Sequence, residues 1–379
     1  MRPDTARCPA GALLPWTAMT LADRLSGALV MAPMTKGSNL PYRRLCVELG
    51  ARITMSEMTV ARRLKQRRKG EFALIRRAPE EPFFGVQLAG TASEEMGWAA
   101  TLVESRGGDL VDVNFGCPID HFTRKGLGAS LGRQPSRIRR IVDAMKRAVQ
   151  HVPVTAKIRL GWNDDDRNYL DQAKAAVDGG ADAITVHGRT RNARYRLAAD
   201  WDAIGEVVAA VPVPVVGNGD VLFPHEIEAA RARSGCAGVM SARGVLIKPW
   251  LFREASEGYL DLDGDARVAI YRRYVVLALE HWGGDDFGRQ RVQEFLRWHV
   301  GFWCRYARRR VDGSWPTMQQ RETAPLVHSP LEALLARSDD PALDYVTDRL
   351  LRDRPLDVDA APGAVAAMPD VYAEAEAEG

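Results

Sequence analysis

The sequence predicts an α/β protein: a (β/α)8 TIM barrel followed by a small all-α helical bundle. Short apolar, β-rich runs recur eight times between residues 28 and 243. Amphipathic stretches separate these runs, and the last third of the chain keeps only the helical period. Eight β-then-α units in succession are typical of a TIM barrel, in which a ring of helices covers a closed parallel sheet.

Each predicted strand is short and mostly apolar, as expected of a parallel sheet that is buried on both faces. The eight predicted strands occupy residues 28–34, 52–58, 83–89, 110–116, 152–158, 182–188, 213–219 and 237–243.

The segments between the strands predict crossover helices. Several of them end at a glycine, which is a common helix stop. Helices are predicted over residues 40–51, 94–105, 135–150, 169–181 and 225–235. A doubly wound sheet is the alternative, but it would usually carry a GxGxxG fingerprint after its first strand. Here the first strand leads into APMTKGSNL (32–40), which does not match.

The chain beyond residue 258 changes character. Amphipathic segments at 265–282, 287–307, 331–338 and 343–353 predict a small helical bundle. We therefore divide the chain into a leader (1–24), a TIM-barrel catalytic domain (25–258), a helical domain (259–353) and an acidic tail (354–379). The tail lacks the apolar content needed to pack, so it is predicted to be disordered.

The composition is that of a soluble globular enzyme, with 379 residues, 46% of them hydrophobic and 27% charged. No apolar run reaches the ~20 residues that cross a bilayer, and no secretory signal is evident. We expect a cytoplasmic protein with no membrane segment and no obligate protein partner. The five cysteines form no CxxC pair, so neither a disulfide framework nor a metal site is expected.

Positive charge is concentrated in two runs. ARRLKQRRK (61–69) holds six Lys or Arg residues, and 289–310 holds seven Arg residues interleaved with aromatics. Such stripes suit a polyanion with bases that can stack. The alternative reading, which charge alone leaves open, is a solvated helix face.

Polar residues collect where the predicted strands end, and the chemistry of TIM barrels takes place at that end of the sheet. They are Met34, Thr35, Glu57, Gln87, Asn114, Cys117, Lys157, Arg159, His187, Arg189, Asn218, Asp220, Ser241 and Arg243.

The segments GNGD (217–220) and SARG (241–244) end the last two predicted strands. Small residues there free backbone N–H groups to hold a phosphate. Each motif alone is weak, because Gly-Asn-Gly is also an ordinary turn. Together at these two strand ends they indicate a phosphate site.

Lys157 and His187 can each be interpreted in two ways. A lysine inside an apolar strand is costly unless an anionic partner lies beside it, although it can also snorkel to the barrel mouth. We favour an anionic or electron-rich ligand. His187 has no Glu or His at ligand spacing, so we read it as a hydrogen-bond donor to a cofactor or phosphate rather than a metal ligand. Gln87 suits an imide edge but is equally compatible with a structural role.

Cys117 stands in VDVNFGCPID (111–120), between Gly116 and Pro118. Most single cysteines are small buried fillers. The flanking Gly and Pro instead indicate a fixed loop at a strand end. An ordinary thiol has a pKa near ~8.5, so it is protonated at neutral pH and can act as a general acid.

The sequence resembles the tRNA-dihydrouridine synthases. The resemblance rests on APMT (32–35), GVQLAG (85–90), VDVNFGCPID with the later KGLGAS (125–130), TAKIRLGW (155–162), ITVHGRTR (184–191), GNGD and SARG. GSNLPYRRLC, RYRLAADW, KPWLF and LEHWGGD further resemble the eukaryotic class that modifies the tRNA variable loop. Members of that class carry zinc fingers upstream, which the present sequence does not contain.

This resemblance implies an FMN enzyme that uses NADPH to reduce the C5=C6 bond of uridine in tRNA. Cys117 would protonate C5 while hydride from the reduced FMN reaches C6. Arg189 and Arg159 would contact the substrate. The residues implied to bind FMN are Pro33, Met34, Thr35, Gln87, Asn114, Lys157, His187, Asn218, Gly219, Asp220, Ala242 and Arg243. The helical domain and residues 289–310 would grip the tRNA.

Two alternatives remain. One is an FMN-dependent ene-type reductase or dehydrogenase of a small molecule, against which the helical appendage and the basic stripe argue. The other is a catalytically idle RNA-binding barrel, against which the intact set of Cys117, Lys157 and His187 argues.

Overall fold

Nine parallel strands form one sheet in the computed structural model, which describes residues 19–319 and 325–363. They are β1 (Leu29–Met31), β2 (Thr54–Met55), β3 (Thr59–Val60), β4 (Phe84–Ala89), β5 (Leu110–Asn114), β6 (Val154–Arg159), β7 (Ala183–His187), β8 (Val215–Asn218) and β9 (Gly238–Ser241). The strand order is β1-β9-β8-β7-β6-β5-β4-β2, and β3 also pairs with β4.

The sheet closes between its first two strands. The amide of Met31 donates a hydrogen bond to the carbonyl of Ile53 at 3.1 Å, and Val30 forms a parallel bridge with Ile53. Closure leaves no open sheet edge, so the carboxyl ends of the strands form one ring. The TIM-barrel prediction is confirmed, and each of the eight predicted strand segments overlaps a strand of the barrel. The short strand β3 was not predicted separately.

Helices follow the strands around the barrel. They are α1 (Leu21–Leu25), α2 (Leu40–Glu48), α3 (Ala61–Lys65), α4 (Lys69–Leu74), α5 (Ser93–Ser105), α6 (Asp120–Thr123), α7 (Ala129–Gly132), α8 (Pro135–Ala148), α9 (Tyr169–Asp178), α10 (Trp201–Ala210), α11 (Pro224–Ser234), α12 (Arg243–Ile247) and α13 (Leu251–Glu257). The C-terminal region adds α14 (Gly264–Trp282), α15 (Asp286–Trp303), α16 (Pro330–Leu335) and α17 (Asp340–Leu351).

The C-terminal helices pack onto the barrel as well as onto one another. Helix α14 lies along α2, and α15 lies against α12 and α17. Their apolar side chains belong to the same hydrophobic cluster as the barrel helices. Ion pairs reinforce the contact, with Arg44 on Glu280 at 2.8 Å and Arg273 on Glu48 at 2.6 Å. The bundle is therefore positioned to contribute to a site at the barrel mouth.

The predicted leader and acidic tail are described only in part by the structure. Helix α1 crosses the predicted boundary between leader and barrel, and Leu25 at its end is buried. Residues 1–18 of the leader and 364–379 of the acidic tail lie outside the described residues. Across 19–319 and 325–363, no helix is both long enough and apolar enough to span a membrane.

Candidate active site

A cavity of about 360 Å³ opens at the carboxyl ends of the barrel strands. Its size is within the range of small-molecule and cofactor pockets, ~300–1,000 Å³. Twelve of the residues predicted from the sequence line it: Pro33, Met34, Thr35, Gln87, Asn114, Cys117, Lys157, Arg159, His187, Asn218, Ala242 and Arg243. Gly219, Asp220 and Arg189 are not among its lining residues.

The cavity is positively charged. Lys157, Arg159 and Arg243 line it, and no Asp or Glu is present among its described lining residues. Apolar side chains such as Ile119, Leu246 and Trp298 form much of the remaining wall. Asp220, behind the lining, pairs with Arg243, whereas Lys157 and Arg159 form no ion pair within the described residues. Cations of this kind facing an apolar wall favour a flat ligand that carries negative charge.

The cysteine loop begins where β5 ends and is held from both sides. The Asn114 side-chain oxygen accepts hydrogen bonds from the amides of Gly116 (3.1 Å) and Cys117 (2.8 Å). On the other side, Ala129 donates its amide to the Cys117 carbonyl at 3.0 Å. Gly128 packs directly on the cysteine, with φ +59° and no room for a Cβ atom. These contacts fix Cys117 at the cavity wall.

The Cys117 thiol keeps its proton. Burial raises its pKa above the ordinary value, and the nearby charges of Arg159 and Lys157 oppose that shift without reversing it. A reactive thiolate needs the opposite environment. At neutral pH this side chain is therefore suited to donating a proton rather than to nucleophilic attack.

A chain of side-chain hydrogen bonds runs behind the cysteine loop through three neighbouring strands. Asn114 donates to Gln87 at 2.7 Å, and Gln87 donates to Asp112 at 2.7 Å. Thr155 completes the chain by donating to Asp112 at 2.7 Å. Burial raises the pKa of Asp112 to about 6. After these bonds, Asn114 retains one free N–H, and Gln87 retains one N–H and one lone pair for a ligand.

Lys157 projects from β6 to the oxygen of Asn218 on β8, at 2.9 Å. Asn218 is itself fixed, since its amide group donates to the carbonyl of Met240 at 2.8 Å. Burial, followed by the charge of Arg159, lowers the pKa of Lys157 to about 7. An anionic ligand in the cavity would oppose this shift, because it favours the charged ammonium.

Arg159, two residues after Lys157 on β6, supports the cysteine loop from the same face of the strand. It donates to the carbonyl of Gly116 at 2.8 Å and to that of Thr190 at 3.0 Å. Burial lowers its pKa to about 10. At neutral pH the guanidinium is still charged, and it lines the cavity beside Cys117.

His187 is neutral, and its tautomer can be assigned. Burial lowers its pKa well below 6.5, and the positive charges around it, Arg159 first, lower it further. Arg189 lies 3.2 Å from its Nε2. Since a guanidinium can only donate, Nε2 accepts and the proton is on Nδ1.

Arg189 and Asp220 brace the site from behind the lining. The Arg189 side chain is 1% exposed; it donates to Asp220 and to the carbonyl of Leu197. Asp220 also accepts from Arg243 at 3.1 Å, which orients that cation toward the cavity. A contact between Arg189 and substrate would require these bonds to break.

The predicted phosphate site is built from tightly packed backbone. Gly219 has φ +144°, a conformation that favours glycine, and an added Cβ would lie 2.4 Å from Ala199. At the start of α12, a Cβ on Gly244 would lie 1.8 Å from the Val221 carbonyl oxygen. The turn after β8 and the start of α12 are thus in direct contact, with Arg243 between them and the cavity.

Several lining residues were not predicted from the sequence. Trp298 and Phe302 reach the cavity from α15, and Met58 reaches it from the turn before β3. Tyr195 faces Arg243, whose guanidinium carbon lies 4.5 Å from the ring centroid. An apolar helix face gives no sign of which site it completes. Asp112, by contrast, is a lone carboxylate within an apolar strand, and this pattern indicates a buried polar network behind the cavity.

Only part of the positive charge of the basic stripe 289–310 lies on the surface of the protein. Arg308 is buried and ion-paired with Asp261 and Glu332. Arg297 is ion-paired with Asp340 and Asp344. Much of the stripe's charge therefore joins the C-terminal helices to one another.

As for metals, the described residues contain no cluster of three or more His, Cys, Asp or Glu arranged to hold an ion.

The fold and the cavity together define a TIM barrel with a cationic cofactor-type pocket and a protonated cysteine at its wall. Residues 30–283 match the family model for dihydrouridine synthase (Dus), which is more than half of the chain. The protein belongs to the dihydrouridine synthase family.

Curated relatives agree with this assignment. A protein named tRNA-dihydrouridine(47) synthase (NAD(P)(+))-like from Mus musculus is 39% identical over 285 residues, covering 74% of this chain and 44% of its own length. The protein of that name from Oryza sativa subsp. japonica is 41% identical over 286 residues, covering 73% and 41%. A tRNA-dihydrouridine(47) synthase (NAD(P)(+)) from Coprinopsis cinerea is 37% identical over 329 residues, covering 83% and 49%. The chain thus spans less than half the length of these relatives.

Proposed function

We propose that this protein is an FMN-dependent tRNA-dihydrouridine synthase, which reduces uridine in tRNA to 5,6-dihydrouridine with electrons from NADPH. Family membership and the relatives' printed names support the reaction and the use of NAD(P). The observation that carries the proposal is the placement of a protonated Cys117 in the same cavity as Lys157, Arg159 and His187. A reduction that adds a hydride and a proton needs an acid beside the cofactor.

The residues of the cavity fit FMN. Its phosphate requires cations and free backbone amides. At the predicted phosphate site Arg243, which precedes Gly244 at the start of α12, lines the cavity and pairs with Asp220 of the turn that contains Gly219. Its ring requires flat apolar walls and a few polar contacts, which Met34 and the unused groups of Gln87 and Asn114 can supply. FMN, when bound, supplies the hydride that is added to C6 of the uracil, after reduction by NADPH.

The loop after β1 would form one side of this cofactor site. The Met34 amide donates to Ser38 at 2.9 Å, and Ser38 donates to the carbonyl of Ala32 at 2.8 Å. Pro33 limits the backbone further. A loop fixed in this way can hold a ring without first having to be ordered, which reduces the entropy cost of binding.

Lys157 and Cys117 would carry the two electrostatic tasks of the reaction. The Lys157 ammonium, held by Asn218 at 2.9 Å, would stabilise negative charge on the cofactor from a fixed position. Cys117 would donate its proton to C5 of the uracil as hydride reaches C6. Asn114, Arg159 and Gly128 would hold the thiol in place through the loop.

The substrate must enter as an unstacked base, because the cavity lies inside the barrel mouth. A uridine in a tRNA loop leaves its stack more easily than a paired one. Arg159 lines the cavity and is the residue we assign to uracil or to a neighbouring phosphate. The relatives' names specify position 47, so we propose a variable-loop uridine as the target. Such an enzyme would act in the cytoplasm.

The proposal is tested by purifying the protein and mapping dihydrouridine. We expect a yellow protein that binds FMN, consumes NADPH when unmodified tRNA is added, and restores dihydrouridine at one tRNA position in cells that lack the gene. Colourless protein that cannot be reconstituted with FMN would refute the cofactor. NADPH oxidation that depends on a small enone but not on tRNA would instead support the small-molecule reductase.

A further inference from the structure

A groove runs down the flank of the barrel between α3, α4 and α5, away from the candidate active site. Its basic lining residues are Lys65, Arg67, Lys69, Arg76, Arg77 and Arg106. Phe72, Trp98 and other apolar side chains form its floor, and no Asp or Glu is among its described lining residues. We call this the flank groove. Most of the basic run 61–69 lies in it or beside it.

Most of these cations are available to a partner. Arg67, Lys69, Arg76 and Arg106 are exposed, and within residues 19–319 and 325–363 none of them forms an ion pair. Arg77 differs, because Asp109 and the carbonyls of Gly107 and Glu81 hold it. Lys65 has only a 3.9 Å contact with the exposed Glu94.

The local fold holds the charged run outward. Leu64 is fully buried and anchors α3, while Arg67 adopts φ +57° in the turn to α4. Glu71 ties that turn back to the sheet by accepting from the Val60 amide at 2.8 Å and from Arg63 at 3.1 Å. The Glu71 carboxylate is therefore used internally and does not neutralise the exposed cations of the groove.

The groove begins about one helical turn from the barrel mouth, at Leu64 and Lys65 near the end of α3. Helix α3 starts directly after β3, whose Val60 pairs with Ala89 at the carboxyl end of β4. Met58, just before β3, lines the active-site cavity. On the other wall, the lining residues Trp98, Leu102 and Arg106 belong to the C-terminal part of α5 and its C-cap, so the groove extends for ~12 Å along the flank, toward the amino-terminal end of the barrel. A polymer whose reacting unit enters the cavity would pass this end of the groove.

We propose that the flank groove binds the phosphate backbone of tRNA on one side of the modified uridine. This inference rests on the proposed function for the identity of the polyanion. Unpaired cations without carboxylates are the electrostatic signature of a nucleic-acid surface. Trp98, 40% exposed within the groove, adds an aromatic face on which a ribose or base can pack. By contrast, Arg297 and Arg308 of the stripe 289–310 are neutralised by acidic neighbours.

The experiment compares two variants that lose the same number of charges. The groove variant is R67Q/K69Q/R76Q/R106Q. The matched control is R139Q/R140Q/K174Q/R231Q, which removes exposed cations from α8, α9 and α11. Binding of an unmodified tRNA transcript to each FMN-loaded protein is measured by fluorescence anisotropy over a series of KCl concentrations.

Each lost phosphate contact removes ~0.7 to ~0.9 from the slope of log K against log salt. For the groove variant we expect a slope smaller by about 3 and a Kd higher by ~10- to ~100-fold at ~0.1 M salt. The control should stay within about twofold of the wild type, since screening by salt weakens the effect of distant charges. The rate at saturating tRNA should be unchanged, because the groove residues do not line the cavity.

Equal slopes and Kd values for the two variants would overturn the inference. So would unchanged tRNA binding together with lost binding to phosphatidylserine vesicles, which would assign the groove to a membrane. If the quadruple variant fails to fold, the pairs R67Q/K69Q and R76Q/R106Q should each give about half of the slope change. A wild type that binds tRNA through the groove but leaves its uridines unreduced would refute the proposed function alone.

Discussion

Gly128 lies so close to Cys117 that the loop leaves no space for a side chain. A Cβ atom on Gly128 would lie 2.6 Å from the Cys117 carbonyl oxygen and 2.8 Å from its Cβ, whereas ordinary contacts begin near 3.4 Å. In Gly128→Ala the cysteine or its loop must therefore move by about 0.8 Å, the difference between 3.4 and 2.6 Å. A ~1 Å misplacement of a reacting group costs on the order of 100-fold in rate.

Gly126 provides a matched control in the same loop. Its φ of +76° resembles the +59° of Gly128, but a Cβ there would meet only Thr91, at 3.9 Å. Gly126→Ala should lose ~1 to ~2 kcal/mol of stability, because alanine is disfavoured at positive φ. Gly128→Ala should lose more, because its backbone (φ +59°, ψ −129°) lies outside the αL region and the added Cβ clashes with Cys117. Only Gly128→Ala should also displace Cys117, so the difference in rate between the two folded variants reports on the position of the cysteine.

The assay is a single turnover of FMN-loaded, NADPH-treated enzyme with excess enzyme over unmodified tRNA, followed by quantification of dihydrouridine. We expect Gly128→Ala to be ~30- to ~100-fold slower than the wild type, and Gly126→Ala to stay within about threefold. The melting temperature should decrease slightly in Gly126→Ala and further in Gly128→Ala, and the rates are compared at a temperature at which both variants are folded. Equal rates for the two variants would refute the role that we assign to the contact between Gly128 and Cys117.

Two further predictions concern the groups behind the cavity and beside the cofactor. The folded-state pKa of Asp112 is raised from 3.8 to about 6 by burial, so its contribution to stability is present below pH ~4 and is lost as pH rises through 6. This loss of stability amounts to about 3 kcal/mol. Asp112→Asn should avoid it, because the Thr155 hydroxyl can turn to accept a hydrogen bond from the new amide. The melting temperature of Asp112→Asn relative to that of the wild type should therefore rise between pH 4.5 and 7.5, and a difference that stays constant with pH would contradict the raised pKa of Asp112. Lys157→Met should raise the Kd of FMN by ~10- to ~100-fold, since a hydrogen bond to a charged group contributes ~1.5 to ~3 kcal/mol; fluorescence titration giving an unchanged Kd would show that Lys157 does not contact the cofactor.

The barrel could be predicted from the sequence because its information is local. Runs such as 110–116 and 182–188 are apolar over the length of one strand, and the residues that end them face the cavity once the sheet closes. Cys117, Lys157 and Asn218 therefore come together without any knowledge of the packing between distant segments.

The parts that were missed depend on contacts between distant residues. Trp298 reaches the cavity only because α15 packs on α12, and its amphipathic pattern looks like that of any core helix. The position of Arg189 behind the lining is set by Asp220 and Leu197, residues whose spacing along the chain does not reveal the pairing. Likewise, the sequence does not distinguish the buried, ion-paired Arg308 from the exposed, unpaired Arg67.

The most direct measurement separates the two halves of the reaction in Cys117→Ala. NADPH should bleach the flavin absorbance of this variant as fast as that of the wild type, because the thiol takes no part in that step. Formation of dihydrouridine from tRNA should be ~10²- to ~10⁴-fold slower, the usual effect of removing a general acid. Wild-type dihydrouridine formation in Cys117→Ala, or equal loss of both half-reactions, would contradict the assignment of the cavity and its acid.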